Sequence, residues 1–136
     1  MKYTKLAVEF IHNYHNLIKH GHKDEAMRGE YYALIYLSHD YRDFFPSDIS
    51  DEMNISSARV AAMLNNLEKK GLVMRKKNPD DRRKTIVVIT EKGKEMAKKI
   101  ETDVMNHVMG ILKHLGEDDA KEFVRIMGKL NTFFED

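Results

Sequence analysis

Between Pro46 and Thr90 the spacing of apolar residues changes character, and that change limits the folds open to the chain. Ile49 and Met53 stand four apart, one face of a short helix over Asp48 to Asn54. Val60, Met63, Leu64 and Leu67 repeat the helical period after a turn at Asn54 and Ile55. Ser56 suits the N-cap of this second helix, because its hydroxyl accepts an otherwise unpaired N–H of the first turn. Gly71 ends it, since glycine tolerates the left-handed conformation past a helix end. Strand signals follow. Leu72 to Lys76 and Lys84 to Ile89 flank a turn-forming loop, Lys77 to Arg83, and Thr85 to Ile89 is almost purely β-branched. Two short helices and a tight turn make a helix-turn-helix, and the strands add a β-hairpin.

Charge is distributed as unevenly as hydrophobicity. From Lys69 to Lys99 there are twelve Lys/Arg against four Asp/Glu, a net of +8. The rest of the chain has eleven against eighteen, a net of −7, so the formal total of +1 conceals the asymmetry. A basic cluster on a helix-turn-helix and its hairpin is the electrostatic footprint of a phosphate binder. The outer side of the second helix holds Ser56, Ser57, Ala58, Arg59, Ala62, Asn65 and Lys69. Small residues permit close approach to a groove floor, and Asn and Arg pair with base edges. On the hairpin, Arg75, Lys77, Arg82, Arg83 and Lys84 suit phosphates and a narrow minor groove, with Asp81 placed to orient Arg83. A solvated helix face and a charge-protected edge hairpin are the plainer alternatives. They leave the one-sidedness of the charge unexplained.

The pattern Ile55-Ser, Val60, Leu67-Glu-Lys-Lys-Gly-Leu-Val, Arg75, Asp81-x-Arg83, Val87-x-Ile89-Thr90 and Gly93 resembles the MarR (multiple antibiotic resistance regulator) family of winged-helix transcription factors. The resemblance covers essentially the whole chain. It implies a single MarR-like domain over 1–136: mainly α with a small β-hairpin wing, the winged helix-turn-helix at about 29–90, dimerisation helices at about 3–20 and 91–134. It further implies a homodimeric repressor on pseudo-palindromic double-stranded DNA, often released or remodelled by a small ligand bound between the two lobes. Ala61 and Ala62 depart from the polar or basic residues the family often carries there, which points to sparse direct base readout.

The flanking segments read as helices. Tyr3 to about His20 has a continuous apolar stripe, Gly21 ends it, and 22–27 is a connection before a second helix from Gly29 to about Arg42. Thr90 caps a long helix from Glu91 to about His114, Gly116 breaks it, and a last helix begins with Glu117, Asp118 and Asp119, where negative charge suits an N-terminus. Its apolar residues, from Phe123 to Phe134, exceed what a terminal helix on a small monomer needs to hide. We expect the first and last helices, with the end of the long one, to meet a second copy. Tyr14, Tyr32 and Tyr36 belong to an aromatic concentration before the helix-turn-helix that suits an effector pocket or ordinary packing.

Other functions have less support. No cysteine is present, which excludes disulfides and cysteine redox sensing and fits a reducing cytoplasm. No apolar run approaches the ~20 residues of a membrane span, and no signal-peptide core is seen. No cofactor is implied. His12, His15, His20 and His22 lack partners at a recognised metal spacing, so solvent-facing histidines are the simpler reading and a metal-responsive regulator the variant. No catalytic motif stands out, and a winged-helix protein–protein module is the remaining alternative.

Overall fold

The computed structural model describes residues 2–21 and 25–135; the side chains of 18–21 and 25–27 lie outside the description. Six helices and one hairpin follow in order: α1 (Thr4–Gly21), α2 (Glu25–Ser38), α3 (Pro46–Met53), α4 (Ser57–Lys69), β1 (Val73–Lys77), β2 (Thr85–Ile89), α5 (Glu91–Leu115) and α6 (Glu117–Asn131). A 3₁₀ turn, Thr132–Phe134, closes the chain.

Local chemistry sets the helix ends. Pro46 opens α3, where its missing N–H costs nothing, and the Asp48 carboxylate accepts from Phe45 N–H at 2.7 Å. Asn54 closes α3 at φ 53°, a left-handed conformation Asn tolerates better than most residues. Ser56 Oγ accepts from Arg59 N–H, and Thr90 Oγ1 accepts from Gly93 N–H, so both expected N-caps are in place. Gly71 takes φ 77° beyond α4.

The hairpin is antiparallel, with Val73 opposite Ile89 and Arg75 opposite Val87. Beyond β2, Val87 also bridges Phe44, donating its N–H to the Phe44 carbonyl at 2.8 Å. The hairpin is thus tied to the α2–α3 connection through a one-residue third strand.

The core is the winged helix. Leu34 and Leu37 of α2, Ile49 of α3, Val60, Leu64 and Leu67 of α4, Leu72, Val73 and Val87 pack together with Phe44. Ala97 and Ile100 extend this core onto α5, so the packed unit runs past the expected boundary near 90. Past Ile100 α5 is half-exposed or exposed, and neither α1 nor α6 contributes a buried residue among the described side chains. At 1.5 Å per residue, α5 is about 37 Å long, so its far end stands well away from the core.

Two expectations need correction. α2 begins at Glu25, inside the predicted connection, and ends at Ser38 rather than near Arg42. Gly29 lies within the helix, where methyl groups of Met53 and Met63 stand 3.8 and 3.7 Å from the site of an absent Cβ. Tertiary packing there outweighs glycine's low helix propensity. The α2 end is set by Phe44, which must be reached by extended backbone to pair with Val87.

Candidate nucleic-acid interface

α4 turns Val60, Met63, Leu64 and Leu67 inward, and that leaves Ser57, Ala58, Arg59, Ala61, Ala62, Asn65, Asn66, Glu68 and Lys69 on its exposed side. Every α4 position expected to face a groove is therefore at the surface. Ser56 is exposed too, though its hydroxyl already serves as the cap of α4.

The wing adds the charge. In β1 only Val73 is buried, and Arg75, Lys76 and Lys77 line the exposed strand. Asn78 N–H donates to Lys84 O, and Lys84 N–H to Asp81 O, so the loop folds back on itself. Asp81 organises the tip. Its Oδ1 accepts from both the backbone N–H and the Nε of Arg83 at 3.1 Å, and its Oδ2 accepts from Arg83 Nη2 at 3.3 Å. These bonds hold the Asp81 carboxyl below its ordinary range. Arg83 is 91% exposed, so a cation is held in one direction while remaining open to solvent. Arg82 is likewise exposed, and Lys84 Nζ lies 5.8 Å from the centre of the Phe45 ring.

Arg75 behaves differently from its neighbours. Its Nε donates to Glu68 Oε2 at 3.1 Å, and its Nη2 to Glu68 Oε1 at 3.3 Å and Asn65 Oδ1 at 2.6 Å. The sequence pointed to Arg75 and Asn65 as separate contacts; folding makes them one cluster, with Glu68 between. Glu68 stands in the sequence only as part of the Leu67–Val73 pattern, and its role is not legible there, because the three residues meet only across the α4–β1 corner.

The family model described as MarR family matches residues 33–85 of this chain. Over those residues the chain is similar to the MarR family. The Asp81–Arg83 pair and β1 fall within that match, which ends at the first residue of β2. An uncharacterised HTH-type transcriptional regulator of Bacillus subtilis, YdgJ, is 26% identical over 99 residues, covering 73% of this chain and 60% of its own. The B. subtilis HTH-type transcriptional regulator MhqR is 29% identical over 103 residues, covering 76% of this chain and 70% of its own. The match spans about three fifths of the length of the first such relatives. Among solved structures, Streptococcus pneumoniae FabT in complex with DNA superposes with a TM-score of 0.72 at 22% identity, over 98% of both chains. The YusO protein of B. subtilis superposes at 0.74 with 20% identity, over 94% of this chain and 96% of that one. At these identities the structures establish the winged-helix fold.

The three expected effector tyrosines make separate contacts. Tyr14 stacks on Phe10 along α1, with ring centres 6.1 Å apart. Tyr32 donates to Glu52 Oε1 at 3.0 Å, a bond that raises its pKa. Tyr36 packs edge-on against Phe44 and accepts from Arg42 Nη2 at 2.8 Å. A crevice between α2 and α5, of about 320 Å³, is lined instead by Tyr31, with Met96, Lys99, Ile100, Val104 and His107 among its walls. Sequence order had not separated Tyr31 from Tyr32, although adjacent helical residues point about 100° apart.

Polar links also tie α2 and the residue after it to neighbouring helices. Lys70 Nζ donates to Glu30 Oε2 at 2.8 Å, and the Glu30 side chain is only 7% exposed. His39, just beyond α2, pairs with Glu101 of α5. Among the described residues no cluster of three His, Asp or Glu is arranged to hold a metal ion. His12 interacts with Asn16 on α1, while the His20 side chain and all of His22 lie outside the described residues. No helix among the described residues is long and apolar enough to cross a membrane.

Proposed function

We propose that this chain is a homodimeric, sequence-specific transcriptional regulator that binds double-stranded DNA as a cytoplasmic repressor. The observation that carries the reading is the wing tip. Arg83 is almost fully exposed yet held by Asp81, beside Arg82 and Lys84 and next to an uncovered α4 face. A charged side chain fixed in direction without being buried is suited to an anion that arrives from outside. In the reading, α4 enters a major groove through Ser56, Ser57, Ala58, Arg59, Ala62, Asn65 and Lys69. Lys77, Arg82, Arg83 and Lys84 hold phosphates and the adjacent minor groove. The DNA complex of FabT supports this reading by likeness of fold.

The second copy follows from what the winged helix leaves uncovered. Leu6, Phe10 and Leu17 of α1, Val104 and Val108 of α5, and Phe123, Met127 and Leu130 of α6 are all exposed. That much apolar surface on one small chain marks an interface. A two-fold pairing of these helices buries it and sets two α4 helices about 34–36 Å apart, the spacing of successive major grooves. A small-molecule effector in the α2–α5 crevice then shifts lobe spacing by binding two arrangements unequally.

The test is a selection of genomic fragments by the purified protein at two salt concentrations, including DNA upstream of its own gene. Enrichment of a pseudo-palindrome with half-sites one turn apart is expected, with binding that weakens steeply as salt rises. Absence of binding at low salt would replace the regulator with a winged-helix protein–protein module.

A further inference from the structure

We infer that Arg75 does not contact DNA itself but brackets Asn65, so that α4 presents the amide's donors ahead of its acceptor to the base edge at that position. The inference rests on the DNA-binding reading above. It changes what that reading expects of two of its residues.

The argument starts from donor and acceptor inventory. A guanidinium has donors only, so an asparagine amide meets it through oxygen. The 2.6 Å contact of Arg75 Nη2 therefore assigns the Asn65 amide: Oδ1 meets the wing, and Nδ2 takes the opposite edge of the planar amide. Glu68, one helical turn along from Asn65, takes Arg75 Nε and Nη2 on its two carboxylate oxygens. That fork fixes the guanidinium plane, which in turn fixes the amide.

The bracket also settles the charges. An uncompensated carboxylate on the exposed side of α4 repels phosphates. Arg75 cancels Glu68, and Glu68 cancels Arg75, so the pair adds no net charge to the surface. Arg75 is consequently a positioning residue, unlike Arg83, whose guanidinium is far more exposed.

Specificity follows from the amide. An unrestrained asparagine matches adenine by accepting from N6 while donating to N7. With one Oδ1 lone pair taken by a cation, the accepting half of that match is weakened, because a second donor must approach beside the guanidinium. The remaining NH₂ fits guanine, whose N7 and O6 are adjacent acceptors. Asn65 accordingly favours guanine over adenine.

The experiment is a selection from randomised half-sites by the full chain and by Arg75→Met, Asn65→Ala and Glu68→Gln, with salt titrations on the selected operator. Wild type is expected to enrich guanine at one position per half-site, and Asn65→Ala to flatten that position. Arg75→Met should move the preference to adenine by about tenfold. Combined with Glu68→Gln, so that both charges are removed, it should leave the salt slope unchanged, whereas Arg83→Ala should make it shallower by about 1. Should Arg75→Met fail to fold, Glu68→Gln decides. It keeps a hydrogen-bonding partner but frees the Arg75 charge, so the slope should steepen by about 1 with guanine retained. An adenine preference in wild type, a shallower slope in the double variant with base preference unmoved, or an unchanged slope in Glu68→Gln would each overturn the bracket. Salt-sensitive, sequence-specific binding with no position dependent on Asn65 removes the bracket and leaves the regulator standing. No binding by wild type removes both.

Discussion

The backbone carbonyl of Leu72 occupies the space where a side chain on Gly93 would begin. A Cβ built on Gly93 lies 2.1 Å from Leu72 O and 2.7 Å from Ile89 Cγ1. The first turn of α5 crosses the α4–β1 corner at this point, held by Thr90 N–H on Leu72 O at 3.1 Å and Thr90 Oγ1 on Gly71 O at 2.7 Å. Lys92 Nζ donates to Lys70 O at 2.9 Å, tying the end of α4 to the same junction. Because the obstructing atom is backbone, no side-chain rotation relieves it. Gly93→Ala should therefore destabilise the chain by about 3 kcal/mol, although alanine is the better helix former. Urea unfolding of the two proteins measures this, and an unshifted midpoint would sink the close approach.

Phe44 links elements that are otherwise distant in sequence. It is buried, bridges Val87, packs edge-on against Tyr36 and lies 4.2 Å beneath the Arg42 guanidinium. Phe44→Ala should cost about 3–5 kcal/mol through the cavity it leaves. Phe45→Ala, at a half-buried neighbour, should cost clearly less. Equal losses in thermal or chemical unfolding would contradict the assignment of Phe44 to the core.

At the wing, Asp81→Asn should loosen Arg83 and weaken operator binding, but by less than Arg83→Ala, since the cation remains. Asp81 also makes the tip pH-sensitive. Its carboxyl is held low by the Arg83 side-chain bonds first and the Arg83 backbone bond second. A depressed folded value means the pairing is fully present above the ordinary carboxylate range and is lost as pH falls through the depressed value. Amide chemical shifts of 81–84 should therefore stay constant through mildly acid pH and move only below the ordinary aspartate range. Movement centred at or above that range would show that the pair does not form.

Glu68 should titrate in the same sense for the same reason, the bond from Arg75. Carbon-detected titration should find its carboxyl below the ordinary glutamate range in wild type and returned to that range in Arg75→Met. Its contribution to stability is present above the unfolded value and fades as pH drops through the folded one. Identical titration of the two proteins would mean that the fork is absent in solution.

The α6 face offers a test of assembly that spares the winged helix. Phe123, Met127 and Leu130 repeat at helical spacing and are each about half exposed. Burying a lone carboxylate among them costs several kcal/mol, so Met127→Glu should turn a dimer into a monomer in sedimentation velocity. The unfolding midpoint of the winged-helix core should remain, because α6 places no described side chain in it. A wild-type monomer at micromolar concentration would refute the pairing.

The sequence by itself determined the elements whose ends carry their own chemistry. Ser56, Gly71 and Thr90 mark helix ends through hydroxyl caps and a left-handed turn, and all three do so in the structure. The β-branched run became β2, and the charge asymmetry pointed to the wing as a site. Signals of this kind act over three or four residues, so they are visible without the fold. Tertiary structure alone decided the rest. It carried the packed unit past Thr90 to Ile100, moved α2 to Glu25–Ser38, and put Tyr31 rather than Tyr32 on the α2–α5 crevice. It also joined Phe44 to Val87, Glu30 to Lys70, and Arg75 to Asn65 and Glu68. Such pairs lie far apart along the chain and have no shared periodicity or cap. They form because burial of the core brings their backbones together, and only then does each polar group find the partner that desolvation requires.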